Sequence, residues 1–133
     1  MERYSDITII KEFNKLLRLL LTKVELVYNT DDFYVIKSSI SKALQMRDVA
    51  CLEYMGPVLF EYKDKILEDN INYFLNMDLE NKYPDYAKLI KVLKDTFNKA
   101  DEDFQITLAR IIKEQTILYA KYKLWLLQQS RKK

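Results

Sequence analysis

Residues 101–130 read DEDFQITLARIIKEQTILYAKYKLWLLQQS, and how this stretch is read decides the fold. Phe104, Leu108, Ile111, Gln115, Leu118, Tyr122, Trp125 and Gln129 are separated alternately by four and three residues. On an α-helix that spacing makes one stripe, and its repetition makes a heptad-like seam. Asp101, Glu102 and Asp103 stand where the positive end of the helix favours anions. With neither glycine nor proline inside it, the stretch predicts one helix of about 29 residues, roughly 43 Å long. Ile106, Ile112, Ile117, Leu124, Leu126 and Leu127 fall off the seam, so the helix is apolar on more than one face. Other helices must be laid along it.

The rest of the chain agrees with an all-α class. One glycine and two prolines in 133 residues leave almost no turn chemistry of the kind hairpins need. A chain of this length forms one domain able to bury a core without staples, and 49% hydrophobic with 32% charged residues suits a globular fold. The expectation is a single domain over 1–133, an irregular bundle of about six helices closed by the long C-terminal one.

Taken in order, Ser5 or Asp6 caps a first helix that runs to about Asn29. Ile7, Ile10, Leu17, Leu20, Leu21, Val24 and Tyr28 form its apolar face, widened by Ile9, Leu16, Leu19 and Leu26, which points to a central helix. After the turn and cap Asn29-Thr30-Asp31-Asp32, a second helix carries Phe33, Ile36, Ile40, Ala43 and Leu44 to about Arg47. Ser38, Ser39 and Ser41 in its middle suggest a close helix approach. Asp48 caps a short third helix that stops at Met55-Gly56-Pro57, where glycine suits a helix end and proline a helix start. A fourth helix follows through Ile66, then a less regular segment with a helical turn over 72–75. A fifth opens at Tyr83-Pro84-Asp85, burying Tyr86, Leu89, Ile90, Leu93 and Phe97, with Lys88, Lys91, Lys94, Asp95 and Lys99 facing water.

Several chemistries are disfavoured. The chain has no histidine, which removes the commonest general base and metal ligand. One glycine cannot build a phosphate-cradling loop. Carboxylate pairs such as Glu61 with Asp64, or Glu68 with Asp69, sit on a patterned solvent face rather than in a pocket that would split their pKa values. Asn76, Asp78 and Glu80 alternate as calcium ligands do, without the glycine and distant glutamate such a loop requires. The lone Cys51, between Ala50 and Leu52, reads as a small buried hydrophobe. No enzyme, cofactor or metal is expected, nor a secretory leader, and no apolar run reaches the about 18 residues a spanning helix needs. The expected location is intracellular and not secreted, with no membrane span.

Charge and aromatic residues mark the candidate surfaces. Between Glu53 and Glu80, seven acids (Glu53, Glu61, Asp64, Glu68, Asp69, Asp78, Glu80) face Lys63 and Lys65, a net of −5. From Arg110 onward, Arg110, Lys113, Lys121, Lys123, Arg131, Lys132 and Lys133 face only Glu114, a net of +6. These blocks either pack together within the domain or orient contacts between chains. Nucleic acid bound by the basic stretch is the less favoured reading, because the net charge is only +2 and few cations cluster there. Tyr54, Phe60, Tyr62, Tyr73 and Phe74 in the centre, with Tyr119, Tyr122 and Trp125 in the last helix, are the candidate partner contacts, since such side chains anchor interfaces. Homo- or hetero-oligomeric protein contact is the expected mode of action.

The run LEYMGPVLFEYKDKI from Leu52 to Ile66, followed by YFLNMD from Tyr73 to Asp78, resembles a segment of small all-helical proteins of large nucleocytoplasmic DNA viruses. The bias toward lysine, isoleucine, asparagine and tyrosine is similar to that of their AT-rich genomes. The resemblance carries no catalytic motif. It implies a virion-associated or host-interacting helical protein, a minor component beneath a capsid shell.

Overall fold

A computed structural model describes residues 6–68, 77–84 and 87–131. Among them the chain is all-α, with seven helices and no strand. In chain order they are α1 (Asp6–Val27), α2 (Asp31–Met46), α3 (Ala50–Glu61), α4 (Lys63–Leu67), α5 (Leu79–Lys82), α6 (Ala87–Lys99) and α7 (Glu102–Arg131).

The C-terminal seam organises the bundle as its spacing predicts. Leu108, Ile111, Gln115, Leu118 and Tyr122 are buried, and α1 is the principal neighbour of α7. Two core clusters give the direction of that pairing. One joins Ile9, Ile10, Phe13 and Leu17 of α1 to Leu118 and Tyr122, with Leu44, Cys51 and Leu52. The other joins Leu20, Leu21 and Val24 to Leu108 and Ile111, with Phe33, Val92 and Phe97. The two helices are therefore antiparallel. A third, smaller cluster of Tyr62, Ile66 and Leu79 is backed by Tyr83, Ile90 and Ile112.

Helix α1 is central, as its wide apolar face requires, yet its buried edge is rotated from the expected one. Ile9, Phe13 and Asn14 are inside, while Ile7, Leu19 and Leu26 are exposed. Helix α2 starts at a Thr30 cap whose Oγ1 accepts from the Phe33 amide at 3.2 Å. The serines do not mediate close packing: Ser39 and Ser41 are exposed and Ser38 is half-buried.

The largest departure lies at Gly56-Pro57. Helix α3 does not stop there; it continues to Glu61, and the break falls at Tyr62 (φ −108°, ψ 20°). Proline's fixed φ is helical, so its cost is the lost bond to the Glu53 carbonyl and crowding of the preceding turn. The residue before proline is normally pushed out of the helical region by its own Cβ, which glycine lacks. Gly56 is also buried against α7, where a Cβ would run into the Tyr119 ring. Asp48 is not the cap of α3 either. Its carbonyl accepts from Asn14 Nδ2 at 2.8 Å, and the helix starts without a side-chain cap.

The expected turn at 72–75 and the expected burial of Tyr86 lie outside the described residues. In α6 the buried residues are Val92, Thr96 and Phe97, with Leu89, Ile90 and Leu93 half-buried. Lys94 does not face water. Its side chain is only 17% exposed and its Nζ reaches Glu80 Oε1 at 2.6 Å and the Met77 carbonyl, which ties the 77–82 segment to α6.

Candidate functional site

The second half of α3 lies beside the C-terminal half of α7, and the seam between them opens into a groove of about 650 Å³. Glu53, Tyr54, Pro57, Val58, Phe60 and Glu61 line one wall, Tyr119 and Lys123 the other, and Tyr83 one end. The missing Cβ at Gly56 lets the Tyr119 ring sit directly on the α3 backbone, which sets the groove's depth.

Its aromatic lining is continuous with the core. The Phe60 and Tyr119 rings meet edge-on, with centroids 6.0 Å apart and planes at 68°. Tyr119 leads to Tyr122 at 6.3 Å, and Tyr122 stacks on Trp125 at 6.1 Å and 21°. Phe60 is claimed by two cations, Lys63 Nζ at 4.5 Å and Lys123 Nζ at 4.4 Å from its centroid. At the far end Tyr62 and Tyr83 meet edge-on at 6.5 Å. Lys82 spans that pair, donating to Tyr62 OH at 2.8 Å and to Glu61 Oε1 at 3.1 Å.

The acids on the rim are paired. Glu53 meets Arg47 at 2.8 Å and Glu61 meets Lys82. Burial and the nearby Glu53 charge hold the Tyr119 phenol above its ordinary pKa, and the same two causes lead for Tyr122. Hydrogen bonds to Tyr62 and then Glu61 raise Lys82. The lining thus combines phenol and phenyl rings with two acids held in ion pairs and Lys123 over the Phe60 ring. Such a surface receives an apolar or aromatic side chain and offers hydrogen bonds at its edges. No group of three or more acid or cysteine side chains suited to a metal ion occurs among the described residues.

The structure sorts the aromatic candidates into two sets. Tyr54, 58% exposed, and the half-buried Phe60 and Tyr119 are in the groove. Tyr62 and Tyr122 are buried, and Trp125 is half-buried against the first core cluster. Tyr73 and Phe74 lie outside the described residues. The cations do not form one patch: Lys123 turns toward Phe60, while helical spacing puts Arg110, Lys113, Lys121 and Arg131 on the side of α7 away from α3. Lys132 and Lys133 lie outside the described residues. Four acids of the central block take their ion-pair partners outside α7: Glu53, Glu61, Glu68 and Glu80 pair with Arg47, Lys82, Lys65 and Lys94.

Reading by segment missed Tyr83, Lys63 and Lys82 as parts of this surface. The three-residue step from Phe60 to Lys63 was a helical signal for that pair; nothing local pointed to Lys82 or Tyr83, which arrive from another segment. Neither a protein-family model, nor a curated protein, nor a solved structure matches the chain. No described helix is long and apolar enough to cross a membrane.

Proposed function

We propose that the chain is a non-enzymatic structural or assembly protein that acts through helix-mediated protein–protein contacts, with the α3–α7 groove as its partner site. The observation that carries this reading is the groove's lining: Tyr54, Phe60 and Tyr119 are presented together on an open concave surface whose rim acids are already paired. Rings set in a depression, with polar tips and little free charge, are the anchors of protein interfaces. The resemblance of Leu52–Ile66 to viral helical proteins supplies the setting proposed with it, a minor virion or capsid-associated component.

The test uses Tyr54→Arg, a change at an exposed position. Wild-type and variant chains are immobilised and proteins from the native source are captured and quantified. A partner retained at near-stoichiometric yield by the wild type and lost by Tyr54→Arg, with the variant's unfolding midpoint unchanged, supports the groove. Equal capture by both chains, or no stoichiometric partner, refutes it. Detection of the chain in purified particles from that source checks the setting.

A further inference from the structure

The face of α7 opposite its buried seam carries a second repeat. Ile106, Arg110, Lys113, Ile117, Ala120, Leu124, Leu127 and Arg131 again alternate by four and three residues. This row is two residues out of phase with the first, about 200° around the helix. Ile106, Ile117, Leu124 and Leu127 on it are 48%, 39%, 57% and 54% exposed. The face is distinct from the α3–α7 groove.

We infer that this outer face pairs with the same face of a second copy, antiparallel. The argument is charge complementarity. Glu102 and Asp103 sit in the first turn of α7, Arg131 in its last. When two such helices overlap antiparallel along their length, residue 102 of one lies alongside residue 131 of the other and Ile117 lies near the two-fold axis. The acidic start of each copy then meets the basic end of its partner, the helix dipoles oppose, and Ile106 comes alongside Leu127. Glu114, exposed on this face, approaches Lys121 of the other copy. The stem of the exposed Arg110 covers Leu124 of the other copy while its charged end reaches water. An anionic lipid surface or nucleic acid fits worse, because Glu102, Asp103 and Glu114 share the face with Arg110, Lys113, Lys121 and Arg131 and leave it a net of only +1.

The test is sedimentation equilibrium of the full chain from micromolar to about 0.1 mM. A monomer–dimer equilibrium is expected, weakened about tenfold or more by Ile117→Glu or Leu124→Glu, both surface changes that leave far-ultraviolet dichroism and the unfolding midpoint as in wild type. Lys121→Glu should weaken the dimer, and adding Glu114→Lys in the same chain should restore it. Tyr54→Arg should leave it intact, which separates this surface from the groove. A monomer throughout, or a dimer indifferent to Ile117→Glu, overturns the inference. So does a monomer that binds phosphatidylserine vesicles or a short DNA duplex through this face.

Discussion

At Gly56 one missing methyl group governs how closely two helices approach. Alanine is the better helix former by about 1 kcal/mol, so helix propensity alone would make Gly56→Ala stabilising. An alanine Cβ at this position, however, would overlap the Tyr119 ring as far back as its Cγ, close to the backbone, so the ring cannot swing clear at its tip. Overpacking then wins, and Gly56→Ala should lower stability by about 1–3 kcal/mol in urea titration. In a Tyr119→Ala background the same change should stabilise by up to about 1 kcal/mol. Gln115 presents the opposite case. It is fully buried, and neither Nε2 nor Oε1 has a hydrogen-bond partner. Gln115→Met keeps the length of the side chain and removes two desolvated polar atoms, so urea denaturation should show a gain of about 1–3 kcal/mol. A loss would show that the amide is paired through a buried water. The seam spacing placed Gln115 in the core from sequence alone; that it lacks a partner depends on which side chains surround it.

Among the helices, the short ones depend on neighbours. The four-residue α5 is far below the length at which a helix persists alone. It is held by Leu79 in the third cluster and by Lys94, whose Nζ binds both Glu80 and the Met77 carbonyl. Lys94→Met should therefore cost about 1–2 kcal/mol and speed amide exchange in 77–83, with little effect on α7. Because the pair is largely shielded, added salt should change that cost less than it changes the cost of Lys65→Met, whose partner Glu68 lies 3.8 Å away on the exposed face. The long helix is the contrary case: its boundaries, Glu102–Arg131, follow closely from the acidic start and the unbroken spacing.

Across the whole molecule, alkaline pH is the predicted weakness. Burial raises the thiol of Cys51, burial and Glu53 raise the phenols of Tyr119 and Tyr122, and hydrogen bonds raise Lys82. Every one of these groups binds its proton more tightly when folded. Their contribution is complete below the unfolded pKa values and is lost as pH rises through the folded ones, so stability should decline from about pH 9 upward. Denaturation midpoints taken together with tyrosinate absorbance should show unfolding and phenol ionisation advancing together. With no histidine to titrate, the curve should be flat between about pH 6 and 8.

The all-α class, the long last helix and its buried seam were determined by the sequence itself, because the period of apolar residues and the scarcity of glycine and proline act locally and repeat over many turns. Tertiary structure decided the rest. It carried α3 through Gly56-Pro57, where local rules call for a stop, because packing of Leu52 and Gly56 against the core outweighs one lost backbone bond. It turned Lys94 inward, paired Glu53, Glu61 and Glu80 with cations from outside the central segment, and brought Tyr83, Phe60 and Tyr119 to one groove. Those outcomes depend on contacts between residues far apart in the chain, which no local spacing encodes.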